Sequence, residues 1–287
     1  MIAVFRHELR SLFHSLAAYV CGAFLLIFIG LGAMLYNIQQ SVSNFELVLG
    51  FSSIVLAIVI PILTMRVLSE ERKQKTDQLL YSLPLTTTEV IAGKYLALLT
   101  AFALPVAVIL IYPLIFAHFG EVYLPTAYGS LVAFFLVGAA LIALGVFISS
   151  LTENQGLAAG LGIALVLLNY YSVELAEHVS STAFGSAVAL IVLALLLGIV
   201  VRHLTGNENL SLGISCGLSL LVAVVYFIKS SLFEGLLPKL MTQLSLFDRL
   251  YVFINGVFDL TGVVYFLSFI VFFLFLSVQS MEKRRYN

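Results

Sequence analysis

Long apolar runs alternate with short polar breaks along this chain. Eight runs, 16–36, 47–65, 95–117, 126–150, 156–173, 184–201, 210–228 and 260–278, reach or approach the length that crosses a bilayer. A helical crossing needs about 20 residues. The runs are apolar on all sides, so they predict helices and not the alternating strands of an outer-membrane barrel. The fifth and sixth are short, so the pattern predicts six to eight spans. The expected fold is an all-α membrane protein, a polytopic helical bundle forming one unit over residues 1–287.

Two polar-apolar segments break the rhythm. At the start, Phe5, Leu9, Leu12, Phe13 and Leu16 recur with helical spacing, while Arg6, Arg10 and His14 line another face. Residues 1–15 therefore predict a membrane-surface helix whose arginines reach toward phosphates. Near the end, 229–259 mixes Phe233, Leu236, Leu240, Phe247 and Leu250 with Lys239, Gln243, Asp248 and Arg249. It predicts short interfacial helices, with Pro238 at a break or a helix start. The first apolar run is longer than a signal-peptide core and follows the amphipathic segment, so we expect it to stay in the protein.

Composition agrees with the pattern. Hydrophobic residues make up 61% of the 287 and charged residues 10%, against about 25% charged in soluble domains. The net charge of −1 gives no attraction to nucleic acid. The charge that exists is unevenly placed. Arg6 and Arg10, then Arg66, Arg72, Lys73, Lys75 and Lys94, then Arg202, then Lys283, Arg284 and Arg285 fall at alternating breaks. The other breaks hold Lys229, Lys239 and Arg249, all in one segment. The positive-inside rule places both termini and the 66–94 loop in the cytoplasm. An even number of spans satisfies this, and seven would not.

Candidate chemistry is sparse. The spans carry almost no ionisable residue, which disfavours a proton-coupled transporter or an ion pore. Cys21 and Cys216 lie inside apolar runs and read as small hydrophobes. Glu174, Glu177 and His178 have helical spacing and read as a solvated helix end or, less simply, a small cation site. Gly138, Gly145, Gly156, Gly160 and Gly162 sit where close helix approach needs small residues, within the chain or between subunits. Gly93-Lys94 is no phosphate loop, because Thr88 stands at the first glycine position and Tyr95 follows the lysine. If ATP drives this protein, another chain binds it.

The 66–94 segment concentrates charge. Ser69-Glu70-Glu71 makes an acidic helix start, followed by Arg72, Lys73 and Lys75, then Leu79, Leu80 and Leu83 before Pro84. The spacing predicts a helix over 69–83 and a turn at Leu83-Pro84. Thr86–Thr88 with Glu89 predict a second N-cap leading into the third span. A short helix across a loop can set its apolar side into a groove on a partner.

Thr64-Met65-Arg66, Glu70-Glu71-Arg72, Thr76, Leu79-Leu80, Ser82-x-Pro84, Glu89 and Gly93-Lys94 together resemble the coupling-helix region of ABC-2-type exporter permeases. Ser149-Ser150-Leu151-Thr152-Glu153-Asn154-Gln155 resembles the cytoplasmic turn after their fourth span. Ser245-Leu246-Phe247-Asp248-Arg249 through Gly256, Asp259 and Tyr265, and Gln279-Ser280-x-Glu282-Lys283-Arg284-Arg285, resemble their terminal region. The likeness covers nearly the full chain and is nearest to gliding-motility-type permeases, with nitrous-oxide-reductase accessory permeases more distant. Three departures stand out. Many relatives carry glycine where this chain has Lys75, and Asp77 is offset from their usual Thr-x-Glu register. Relatives commonly have six spans with a re-entrant outer element before the last, and the sixth and seventh runs exceed that plan.

The resemblance implies a multi-pass permease subunit of the cytoplasmic membrane that moves a substrate and is not itself an enzyme. It implies a second permease copy, as homo- or heterodimer, two ATP-binding cassette subunits that hold ATP and Mg, and room for an extracytoplasmic accessory protein. It implies that Glu70, Glu71, Arg72, Lys73, Thr76, Leu79, Leu80, Pro84 and Glu89 couple the chain to the ATPase. The chain itself would hold no cofactor and no metal. Two other classes compete. Glu70-Glu71 followed by Lys75 superficially resembles an intramembrane protease motif, but such carboxylates need histidine partners in a sheltered site, and His118 and His178 are expected on the opposite side. A membrane protein that sequesters an amphiphile without ATP is the other. The uncharged spans favour a lipidic or peptide-like amphiphile over a small hydrophilic ion as cargo.

Overall fold

The computed structural model describes residues 1–76, 85–179, 181–205 and 207–286. All described elements are helical. They are α1 (Ile2–His14), α2 (Leu16–Gly32, continued by a π-helical stretch Ala33–Gln39), α3 (Glu46–Thr64), α4 (Ser69–Gln74), α5 (Thr87–Ile109), α6 (Tyr112–Phe119), α7 (Leu124–Leu151), α8 (Gln155–Tyr170), α9 (Ser172–His178), α10 (Ala183–Thr205), α11 (Glu208–Ile228), α12 (Leu236–Leu244), α13 (Leu246–Ile254) and α14 (Leu260–Tyr286). The chain divides into two compact units. One comprises residues 1–170 and 246–286, and the other residues 171–245.

The first unit is built around α3 and α7. Both run in the same direction, since Glu46 and Thr126 meet at one end and the segment after Thr64 meets Ser149 at the other. Small residues let these helices touch. A Cβ added at Gly145 would stand 2.1 Å from Thr64 Oγ1, a separation no side chain tolerates. Helices α2, α5, α8, α13 and α14 pack around this pair. Pro61 lies inside α3 without ending it. The gap its ring leaves is met by Gly162 of α8, where a Cβ would be 2.9 Å from Pro61 Cβ. Leu25, Ile29, Leu56, Ile60, Leu98, Phe134 and Phe266 fill the core.

The span count is seven or eight. Among the described residues seven helices are long and apolar enough to cross a membrane, and an eighth crossing arises if α8 and α9, bent by 62°, count together. Packing supports counting it. Helix α8 begins just after the Ser149 end of α7 and passes Pro61 in mid-bundle. It finishes at the far end, where Asn169 Oδ1 accepts from the Leu246 amide (2.9 Å) and the Tyr170 ring packs edge-on against Phe247. Helix α13 lies at that same end, over Gly50 of α3. The fifth run is therefore a helix of 16 residues that reaches from the Ser149 end of the first unit to its Leu246 end.

The second unit is an α10–α11 hairpin with α9, a 3-10 turn (Ser230–Phe233) and α12. Its two long helices approach at Gly198, where Ser211 Oγ donates to the Gly198 carbonyl (2.6 Å) and Ser215 Cβ would lie 2.6 Å from an added Cβ. The short helices expected over 229–259 are present as α12 and α13. Pro238 falls in the first turn of α12, where its missing N–H costs nothing.

Candidate functional site: a charged cradle around α4

The polar residues of the first unit collect at the end where α3 breaks. Helix α3 stops at Thr64, and a turn from Met65 to Leu68 leads into α4. Ser149, at the end of α7, holds this turn. Its Oγ accepts from the amides of Leu68 and Ser69 and donates to the Met65 carbonyl, each at 3.1 Å. Three backbone groups freed by the break are thus satisfied by one hydroxyl. Next door, Ser280 of α14 donates to the Ser150 carbonyl (3.1 Å), tying the end of the last helix to the same place. The ends of α1 and α14 therefore lie with α4 at one end of the core.

Helix α4 has two turns' worth of charge and two faces. Arg72 is buried and Glu71 partly so, whereas Lys73, Gln74 and Lys75 are exposed, as is Arg66 just before the helix. The helix ends sooner than the 69–83 expected from spacing. Thr76 N donates to the Glu71 carbonyl (2.9 Å) and Lys75 N to the Arg72 carbonyl (3.1 Å), the pairing of a left-handed helix stop. Lys75 itself has φ 57° and ψ 22°. That is the conformation glycine adopts without steric cost. It supplies a physical reason for the glycine that resembling permeases carry at this position. Leu79, Leu80 and Pro84 lie outside the described residues.

The third helix starts earlier than the apolar run suggested. Thr86 and Glu89 form a capping box. The Glu89 amide donates to Thr86 Oγ1 and the Thr86 amide to Glu89 Oε2, both at 3.2 Å. This is the N-cap read from the sequence, and it engages the Glu89 carboxylate. Because α5 begins at Thr87, Lys94 is not a loop cation as the charge count had it. It lies two turns inside the helix and is 1% exposed.

Lys94 is the centre of the cradle. Its ammonium donates to Glu8 Oε1 of α1 (2.6 Å), to Glu71 Oε1 of α4 (2.6 Å) and to the Val67 carbonyl (3.1 Å). An ammonium has three donors, and all three are used. Charge-assisted bonds of this kind are about twice as strong as neutral ones. One lysine thereby joins the surface helix α1, the short helix α4 and the membrane helix α5. Close approach of α1 to α5 makes this geometry reachable. A Cβ at Gly93 would stand 3.1 Å from Val4, one turn before Glu8.

The sequence reading thus found Glu71, Arg72 and the Thr86–Glu89 cap but missed Glu8 and the burial of Lys94. A signal for Glu8 was present. It falls on the ridge Val4–Glu8–Leu12 that packs inward, so an acid stood on an otherwise apolar row. Arg6, Arg10 and His14 are exposed on another ridge, as the helical spacing predicts.

Glu174 and Glu177 are exposed on α9, and His178 Nδ1 is 2.8 Å from the Glu174 carbonyl. Among the described residues no group of three His, Cys, Asp or Glu is arranged to hold a metal ion. Glu71, which a protease would need to activate water, is instead held by an ammonium.

A family model described as ABC-2 family transporter protein matches residues 2–185. The match runs from α1 into α10 and contains Glu8, Glu71, Arg72, Lys94 and Ser149. No curated protein and no solved structure matches the chain. Its helices, its span pattern and this match over most of its length make it a multi-pass membrane protein and a permease of the ABC-2 transporter family.

Proposed function

We propose that the chain is the membrane subunit of an ATP-binding cassette exporter, in which a separate ATPase pushes on α4 and the residues after it. Permeases of this family generally pair with such ATPases and dimerise. In this reading the cradle end faces the cytoplasm of the cytoplasmic membrane, and a second permease copy completes the path. The observation that carries it is the Lys94 junction. A short, surface-lying helix is bound by ionic contacts to two others, so force applied to its exposed side passes directly into α5 and α1.

In this reading the coupling residues divide by role. Lys73, Lys75 and Arg66 present charge outward, toward a partner. Glu71 and Arg72 turn inward and set the position of α4, and Glu89 fixes where α5 starts. ATP and Mg would be held by the partner alone. The test is co-purification of the chain with an ATP-binding cassette subunit, followed by ATPase assay in nanodiscs. Lys73→Glu with Arg66→Glu should lower the permease-dependent ATPase rate while membrane insertion stays normal. An ATPase that neither co-purifies nor changes its rate when the permease is added would overturn the reading.

A further inference from the structure

We propose that the end of the first unit opposite the cradle carries a binding site for an organic ammonium group. A cavity of about 220 Å³ opens there between the start of α7 and the loop after α13. Its lining includes the rings of Tyr123, Phe253 and Phe258, with Thr126 between them. The rings are held at angles to one another rather than stacked. Phe253 and Phe258 meet edge to face at 5.5 Å and 88°. Two glycines shape the opening. Gly256, at φ +83°, turns the loop back over Thr126, and Gly129 lets the Phe258 ring lie against α7.

Behind this wall lies a buried acidic side chain. Glu46 is 5% exposed, and its Oε1 accepts the hydroxyl of the cavity-lining Thr126. Its other oxygen is buried and has no hydrogen-bond partner within the protein. A buried carboxylate oxygen left this way is costly unless a donor or a positive charge comes to it. The neighbouring charges do not serve. Asp259 caps α14 through the Thr261 and Gly262 amides, at 2.9 and 3.1 Å. Those bonds and Arg249 hold its carboxyl below the usual range. Arg249 itself lies 4.0 Å over the Tyr265 ring. Neither is a hydrogen-bond partner of the buried Glu46 oxygen, and both are engaged elsewhere.

Aromatic rings lining a cavity, with a buried carboxyl group one hydrogen bond behind its wall through Thr126, select a cation that is also greasy. Ring faces attract ammonium groups, most strongly when water is excluded. A bare metal ion needs several oxygen ligands, and the rings supply none. The cavity is smaller than the about 300–1,000 Å³ of sites that enclose whole drug-sized molecules. It suits a head group, of the choline or ethanolamine type, with the rest of the ligand outside. Such a head could come from a membrane lipid or from a free amine.

The chain contains no tryptophan, so Phe258→Trp provides a single indole at the cavity mouth. In phosphatidylglycerol nanodiscs at constant ionic strength, choline should change its emission saturably, and calorimetry on the unsubstituted protein should give the same affinity. The neutral isostere 3,3-dimethylbutanol should bind at least about tenfold more weakly, as expected when one desolvated cation–aromatic contact is lost. Glu46→Gln should weaken choline by a similar factor. If that variant fails to fold, Tyr123→Leu, at an exposed position, should do the same. Nanodiscs of phosphatidylcholine separate the sources. A signal already saturated there identifies the lipid head group, and an unchanged choline titration identifies a free amine. No saturable response by either method, or equal binding of choline and its isostere, overturns the proposal. Neither result bears on ATPase coupling at the other end.

Discussion

Helices α7 and α10 are equally apolar, yet 83% of the most apolar window of α7 is buried in the protein and 22% of that of α10. The difference lies in residue size and hydroxyl groups rather than hydropathy. Along α7, Ser130, Gly138, Ala139, Ala140, Ala143, Gly145, Ser149 and Ser150 let neighbours close in. Along α10, Leu193, Leu195, Leu196, Leu197 and Ile199 stand exposed. In lipid there is no hydrophobic gain from helix association, so close packing and hydrogen bonds decide which faces meet. Hydropathy says that a helix is embedded, and small residues say against what.

The largest test of this contrast is Lys94, the least exposed of the buried charged residues among those described. Lys94→Met removes the ammonium that joins Glu8 and Glu71, and should destabilise the first unit by about 3–5 kcal/mol. Thermal unfolding in detergent checks it, and Glu8→Gln added to it should recover part of the loss. Gly145→Leu comes next. Overpacking against Thr64 should cost about 1–3 kcal/mol, seen in the same assay. Ser149→Ala removes the acceptor of two buried amides and should cost about 1–3 kcal/mol. Faster proteolysis near Arg66 would show that the loss is local. Lys75→Gly reverses the sign. It relieves a left-handed lysine and should stabilise by about 1 kcal/mol. Leu196→Ala, on the exposed side of α10, should change stability by less than about 0.5 kcal/mol. A larger loss there would mean that something other than lipid covers that face.

The helical bundle was legible because every run long enough to cross a membrane must satisfy its own backbone. Ends were harder. The Thr86–Glu89 cap was readable, since its residue types are specific to helix starts, but it was not used to move the start of α5 back from Tyr95. That left Lys94 counted among loop cations. The 69–83 helix was over-read because a lysine at a left-handed stop gives no warning that a glycine would give. The fifth run is short in hydropathy, and its place in the first unit is defined by Gly162 against Pro61 and Asn169 against Leu246, which are contacts between distant parts of the chain. Glu46 went unremarked for a related reason. It begins an apolar run, and nothing local says that Thr126, 80 positions on, will meet it.

The bond between Ser149 and the bend after α3 has a consequence in time. The Ser69 amide and its acceptor are 80 residues apart. Chains enter the membrane from the N-terminus at about 5–20 residues per second. For several seconds after residues 65–69 emerge, the bend that sets the direction of α4 has nothing to hold it. The α4 end of this permease is therefore finished late, when the end of α7 arrives, and a truncated or stalled chain would present α4 unset.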